Sequence, residues 1–552
     1  VTADAVIVGS GPGGAAVADV LTQAGWSVVI VEKGRNHLID LADPTRLLYD
    51  FSNDEIKFFD RWFLGPDPMV EPRTFRIGPE DGERLHVGEV NSIPTTVGGG
   101  GTHADGKVPR FREEDFELLS RYGPIEGAEV ADWPVGYDEL EPFYAEAERA
   151  IGVAGDATAN PFAAWRSGPY PMPPGAPMYG ATLSTAAAEE VGLHPYAAPT
   201  AANSVPYDGR PACNNCGFCA FAGCPIHAKG DPVALLQRAL LSGHAELLPE
   251  TFVTRVCTEN GRATGVEAMD ADGTRRTIGA RVVVLAAGAI ETPRLMLLSG
   301  FDHPLIGRHF MVHFQTFGFG TLPHRLHAER GRAVTHVHDD AVLVDDDARR
   351  AAAAAGLPWL RGGLVEHGGP AHPIEEAKRY PWGARHPKLM RASPMRDHLW
   401  GFTMQGEDLP QRGNCVDLDP DVRDARGFPV ARVTYKPHRH ELAASDHHGQ
   451  KLLEVLRVMG ANWSGTATSP SLRTDTQWHD DRTSIVPASR HVMGTTRMGD
   501  DPATSVVDRY GAMHALPNVV VADSSVFVTS AGYGPTLTLV ALAMRAAGAL
   551  TG

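Results

Sequence analysis

Gly9, Gly11 and Gly14 stand in the spacing G-x-G-x-x-G, and an acid, Glu32, follows 18 residues after the last of them. That pattern suits a diphosphate. Gly9 permits a tight turn, Gly11 lets backbone approach a pyrophosphate, and Gly14 lets a helix pack closely on a strand. Glu32 can accept hydrogen bonds from ribose hydroxyls, as NAD and FAD offer them, and would resist a 2′-phosphate. Cys213, Cys216, Cys219 and Cys224 form a second set, C-x2-C-x2-C-x4-C, followed by Pro225. The last gap is one residue longer than in the bacterial ferredoxin run C-x2-C-x2-C-x3-C-P, which holds an iron–sulfur cluster. A structural zinc would also accept four thiolates, although zinc ribbons split their pairs across a longer loop. Free thiols or local disulfides need no metal. The spacing leaves the three readings open. Among the 24 histidines, "RHFMVH" spaces His309 and His313 for one helical face, and "HRHELAASDHH" clusters four more. Neither contains the H-E-x-x-H of a zinc hydrolase, so solvated or core histidines are expected at both.

The elements that must position these residues are legible nearby. "DAVIVG" is a short β-rich run, "GPGGAAVADVLTQAGW" has helical spacing, and "SVVIVE" ends in Glu32. This is a β-α-β unit with a right-handed crossover. Strand, helix, second strand and acid fall in place together, which marks a dinucleotide site. "RVVVLAAGAIETPRLMLLSG" (281–300) predicts a buried strand, a small-residue turn and a helix. No second G-x-G-x-x-G with a trailing acid follows, so a separate NAD(P) site has no support and the dinucleotide is expected to belong to a tightly held flavin. Near the C-terminus a strand ends at Asp523, and Pro535 opens an apolar helix, where its missing N–H costs nothing. The Pro/Gly/Ala-rich stretch from about 152 to 180 predicts a long connection between lobes. "DDDARRAAAAAGLP" (345–358) predicts an exposed helix.

The totals bound the rest. The 552 residues offer three or four domains' worth of chain, and 43% hydrophobic with 21% charged residues is ordinary for a globular protein. A formal charge of −17 argues against nucleic acid and anionic membrane surfaces as partners. No apolar run approaches the roughly 20 residues that span a bilayer, and "VTADAVIVGS" shows no secretory signal. Cys257 and Cys415 stand apart from the cysteine cluster, unlike the framework of a small secreted domain. A cytoplasmic location is expected.

Several segments together resemble the glucose–methanol–choline (GMC) oxidoreductases, FAD enzymes that oxidise alcohols. They are the N-terminal unit, "VGGGGTH" (97–103), "DWPVGYDELEPFYAEAE" (132–148), "LAAGAIETPRLMLLSG", "HVMGTTRMG" (491–499) and "GYGPTLTL" (532–539). The likeness covers nearly the whole chain and is strongest to the pyranose oxidase, gluconate dehydrogenase and fructose dehydrogenase branch. It implies an α/β fold, with a Rossmann-type FAD-binding domain and an inserted α+β substrate-binding domain. The implied division assigns 1–45, 80–130, 205–305 and 485–552 to FAD, and 46–79, 131–204 and 306–484 to substrate.

The resemblance also assigns roles. His491 becomes the base that removes the hydroxyl proton while hydride leaves for flavin N5, a task suited to neutral imidazole. Relatives usually place His or Asn just before "PTLT", where this chain has Gly534. Tyr533, next door, would substitute if the turn presents it inward, and would otherwise pack against the flavin or a lobe interface. Gly98, Gly99, Thr102, His103, Ala287, Asp523, Pro535 and Thr536 are implied to contact FAD. His103 occupies the place of a histidine that fungal pyranose oxidases bond to the flavin, with Ala104 replacing their Trp, so a covalent link and simple contact are both open. Some related sugar dehydrogenases hold a cubane-type cluster in the loop matching the cysteines. The implied reaction oxidises a secondary hydroxyl of a sugar or glycoside. A sterol or other bulky alcohol, or a non-redox lyase on the same fold, is the alternative. Oxygen, a quinone or a redox carrier would take the electrons.

Overall fold

The β-rich runs at the N-terminus form strands Thr2–Val8 and Val28–Val31, joined by helix Pro12–Gln23. The computed structural model describes residues 2–48, 68–78, 84–91, 93–219, 223–328, 330–368, 382–393, 397–468 and 489–552. Parts of the expected substrate segments, 49–67 and 469–484 among them, lie outside these.

The first two strands belong to a 7-stranded sheet. Ala245–Leu248, Val28–Val31, Thr2–Val8, the end of Arg275–Leu285 and Val519–Val521 all run parallel. The start of Arg275–Leu285 instead pairs antiparallel with Arg262–Asp270, which pairs with Thr251–Glu259. One long strand thus joins a parallel sheet to a meander. Helix Pro12–Gln23 packs between Pro232–Leu241 and the C-terminal helix Thr536–Thr551. The last is buried along nearly its whole length, from Leu537 to Ala547.

Two further sheets build the other half. A mixed 6-stranded sheet runs Met493–Thr495, Arg308–Met311, Cys415–Arg423, Pro429–Thr434, Arg73–Arg76, His86–Gly88. An antiparallel 6-stranded sheet runs Trp463–Thr468, Phe314–Thr321, Leu399–Gly406, Val365–Gly368, Val334–His338, Tyr196–Ala197. Helix Arg439–Val458 covers one face of it, and the Thr316 hydroxyl donates to Ser445 on that helix (2.8 Å). This is the expected α/β organisation, a Rossmann-type unit joined to an α+β half.

Two local expectations meet different fates. Helix Asp346–Ala354 forms, with the Asp345 carboxylate accepting from the Ala348 N–H, and only Ala348 and Ala352 are buried. "RHFMVH" is not helical. Arg308–Met311 is a strand between Met493–Thr495 and Cys415–Arg423, and His309 sits at φ 62° where the ladder breaks register. Pairing to neighbours far along the chain overrides the local spacing.

The glycines of the first turn are fixed by close backbone approach. A Cβ on Gly13 would lie 1.7 Å from the Ala522 carbonyl oxygen, and one on Gly14 would lie 2.0 Å from that of Gly9. Gly9 itself is at φ 103°, and its Cβ would lie 2.4 Å from the Ala286 oxygen. A Cβ on Gly11 meets nothing within 4 Å. Gly13→Ala is therefore expected to destabilise the fold by about 1–3 kcal/mol or more, read as a lower urea midpoint. In the apoprotein Gly11→Ala should leave that midpoint unchanged, and on reconstitution it should lower the bound dinucleotide. Equal midpoints for the two variants would contradict this account.

Candidate active site

One cavity of about 600 Å³ runs from the first turn to the antiparallel sheet. Gly9, Gly11, Gly13, Glu32 and Ala287 line its first stretch. Helix Pro12–Gln23 starts there without a side-chain cap, so its first N–H groups are open to an anion. One Glu32 oxygen accepts from the Ser10 N–H (3.0 Å) and hydroxyl (2.7 Å), and the other from the Gly34 N–H (2.8 Å). A carboxylate offers about four acceptor positions, which leaves one for a ribose hydroxyl. Lys33, Arg73, Glu291 and Arg294 also border the cavity and are held in charge pairs: Lys33 to Glu71 (2.5 Å), Arg73 to Glu291 (2.8 Å) and Arg294 to Glu291 (3.2 Å).

The second glycine run lies on the first. A Cβ on Gly99 would come 3.2 Å from the Gly11 Cα, and the Gly98 N–H donates to the Ser10 hydroxyl (3.0 Å). Lys229, buried, donates to the carbonyls of Thr102 (2.5 Å) and Ala104 (2.7 Å). These two bonds grip the backbone on both sides of His103, which borders the cavity. Sequence reasoning passed over Lys229. Asp523 also borders the cavity and accepts from the Gly288 N–H (2.9 Å), the Thr292 hydroxyl (2.5 Å) and the Ser525 N–H (2.8 Å). Gly534, Pro535 and Thr536 bring the start of the uncapped C-terminal helix to the same space. Gly14, Gly98 and Thr102 support these walls from behind without lining the cavity.

His491 lines the same cavity. Its partner is His313, one of the histidines expected to be inert. Met311 pairs antiparallel with Met493, and two residues after the one and two before the other the rings meet, Nδ1 to Nδ1 at 2.9 Å. The Ser489 hydroxyl accepts from both backbone N–H groups (2.9 and 3.2 Å) and locks the pair. His313 Nε2 lies 3.1 Å from the Ser530 carbonyl oxygen, which only accepts. His313 therefore carries its hydrogen on Nε2 and accepts at Nδ1. His491 must then donate from Nδ1, which leaves its Nε2 with a bare lone pair. Burial, and then the His313 ring, push the His491 pKa down to about 3, so the ring is neutral at ordinary pH. His313, wholly buried, is pushed to about 4.

The antiparallel sheet supplies the opposite wall. Successive side chains on a strand alternate between faces, and Gln315, Phe317, Leu364, Glu366, Thr403 and Gln405 all fall on the cavity face. Gln315 opposes Gln405, and Thr403 opposes both Phe317 and Glu366. Gln315 Nε2 donates to Gln405 Oε1 (3.0 Å), and Gln405 Nε2 donates to Glu366 Oε1 (3.0 Å). Lys107, also lining the cavity, bridges Asp105 (2.6 Å) and Glu366 (2.6 Å). Polar residues inside an apolar strand, as in "FQTF", were the sequence signal for this wall.

Placement bears on two readings that the sequence left open. Tyr533 does not reach the cavity: it is buried against Phe111, and its hydroxyl donates to Asp339 (2.9 Å). Gly532 at φ 69° turns the chain so that this side chain faces away. Among the described residues no group of three or more potential metal ligands occurs, and Cys213, Cys216, Cys219 and Cys224 are free thiols. The Asn215 N–H donates to Cys213 (3.4 Å), and the Cys213 N–H donates to the Asn203 carbonyl (2.8 Å). These bonds order the start of the loop.

The tautomer assignment is open to measurement. Nitrogen-15 NMR at neutral pH should find the His491 hydrogen on Nδ1 alone. His313→Phe, which removes the acceptor, should let both tautomers appear. A single unchanged tautomer in that variant would strip His313 of its role.

Profiles described as GMC oxidoreductase match residues 181–315 and 410–543, and one described as an FAD binding domain matches 2–40. The chain is 30% identical to 2-methyl-1,2-propanediol dehydrogenase of Mycolicibacterium austroafricanum, over 98% of this chain and 94% of that one. It is also 30% identical to the gluconate 2-dehydrogenase flavoprotein of Pantoea cypripedii, over 99% and 93%. A solved structure of pyridoxine 4-oxidase from Mesorbium loti shares the fold at a TM-score of 0.60 and 18% identity, covering 99% of this chain and 98% of that one. No helix among the described residues is long and apolar enough to cross a membrane. The glycine cradle, the spare acceptor on Glu32 and the uncapped helix start fit FAD. The chain belongs to the GMC oxidoreductases, FAD-dependent enzymes that oxidise CH–OH groups.

Proposed function

We propose that the chain oxidises a secondary hydroxyl of a sugar or glycoside to a ketone, with His491 as the base that takes the hydroxyl proton. The bare Nε2 of His491 on the cavity side carries this reading. FAD, when bound, supplies the hydride acceptor at N5. The protein's part is to hold a neutral imidazole whose hydrogen is already committed elsewhere, so that a substrate O–H is the proton it meets. Amides suit a polyol, because each offers a donor and an acceptor and a sugar hydroxyl needs both. Gln315 and Gln405 present such groups, and Phe317 beside them offers an apolar face to ring C–H groups. The similarity to a gluconate 2-dehydrogenase flavoprotein agrees with a polyol substrate.

In this reading residues 1–45, 80–130, 205–305 and 485–552 hold the cofactor, and the other segments present the substrate wall. The electron acceptor is taken to be external: oxygen, a quinone or a redox carrier.

Anaerobic mixing of the holoenzyme with methyl α-D-glucoside, D-gluconate and 2-methyl-1,2-propanediol tests the substrate class. Bleaching of the flavin by one of the two polyols is expected. Bleaching by the small diol alone would overturn the sugar reading. His491→Ala should keep its flavin and reduce it about 10²–10⁴-fold more slowly. An unchanged reduction rate would dismiss His491 as the base.

A further inference from the structure

Taking a proton from an alcohol leaves negative charge on its oxygen, and a donor fixed in the cavity wall stabilises that charge. Gly534, beside the start of the C-terminal helix, offers no side chain. Its backbone is not in the left-handed region, and a Cβ there would meet nothing nearer than the Lys107 carbonyl oxygen at 3.7 Å. Glycine is therefore not forced at 534, and it leaves space next to Lys107.

Lys107 borders the same cavity as His491, with only 12% of its side chain exposed. An ammonium carries three donors. Asp105 and Glu366 take two of them at 2.6 Å each, and Glu366 is itself held by Gln405. The ammonium is thus clamped between the glycine-loop side of the cavity and the antiparallel sheet. Burial would lower its pKa, but the two carboxylates outweigh burial and hold it above the usual lysine value. Arg490 also borders the cavity, and its charge acts on His491 less strongly than that of Lys107.

We propose that Lys107 is a catalytic residue: its remaining ammonium N–H donates to the substrate oxygen while His491 takes the hydroxyl proton. The proton passes to His491 Nε2, the hydride leaves from the same carbon, and Lys107 keeps its own hydrogens throughout. This rests on the alcohol-oxidation reading above, and the test separates the two. Lys107→Met removes the donor. Lys107→Met with Glu366→Gln removes it without leaving Glu366 as an unpaired buried carboxylate, which guards against a folding defect. Holoenzymes of the wild type and both variants, matched for flavin content, are mixed anaerobically with methyl α-D-glucoside, D-gluconate and 2-methyl-1,2-propanediol. They are also titrated with 2,2,2-trifluoroethanol, an acidic alcohol that resists oxidation, followed by flavin absorbance. Flavin reduction should slow about 10²–10³-fold in both variants, and trifluoroethanol should bind about tenfold more weakly. If the wild type is reduced and both variants are reduced equally fast, the proposal is overturned and the oxidation reading stands. If no alcohol reduces the wild type, that reading falls and the titration decides for Lys107: weaker binding in both variants supports its contact, and equal binding ends it.

Discussion

Three parallel strands end at Val8, Leu285 and Val521, and the site exists because backbone alone fills the space above them. The carbonyls of Gly9, Ala286 and Ala522 each occupy a point where a Cβ of Gly14, Gly9 or Gly13 would otherwise lie. Without side chains at those positions, helix Pro12–Gln23 settles onto the strand ends with its open N–H groups toward the cavity. The same contact fixes the segment after Val521. Asp523 then reaches across to Gly288 and Thr292, and a few residues on, the Ser530 carbonyl arrives where His313 can donate to it. The phosphate end and the proton-accepting end therefore depend on one close approach of main chain.

The other half contributes through register. Two antiparallel strands with Gln315 opposite Gln405 send polar side chains to the cavity, while Thr316 and Met404 between them face the opposite way. Thr316 spends its hydroxyl on Ser445 of helix Arg439–Val458. A one-residue slip would exchange the two sets and bury the amides against the helix. The broken ladder between Arg308–Met311 and Met493–Thr495 serves in the same way, since its continuation places His313 across from His491.

What could be read from the sequence follows from how far apart the interacting parts lie. The first turn was legible because its strand, glycines, helix and acid are consecutive. His491 was legible through the run "HVMGTTRMG", and Asp523 through the strand ending before it. His313 was not, since its partner is 178 residues away. The four-residue step from His309 to His313 puts both on one face of a helix and equally on one face of a strand, so periodicity could not decide between them. Tyr533 was misplaced for a related reason. Its neighbours left its direction open, and an acceptor 194 residues away, Asp339, fixes it. The cysteine spacing left a metal site, free thiols and local disulfides open, because spacing alone does not set where sulfurs lie.

Burial disfavours charge for every group in this cavity, yet His491 and Lys107 respond in opposite ways. Around His491 the strongest neighbours are a second imidazole and the Lys107 ammonium, and both add to the burial penalty on a protonated ring. Lys107 has two carboxylates at 2.6 Å, and their attraction exceeds the same penalty. Asp105 and Glu366 differ in turn. Burial would raise Asp105, but Lys107 outweighs it and Asp105 stays low, whereas Glu366 is left raised by burial, because one ammonium does not fully offset two buried anions. Coulomb contacts thus sort like environments into a neutral ring and a fixed cation. A neutral ring can accept a proton, and a cation locked by two anions can donate a hydrogen bond without releasing its own. That division of labour is what removing a proton from an alcohol asks of the walls around it.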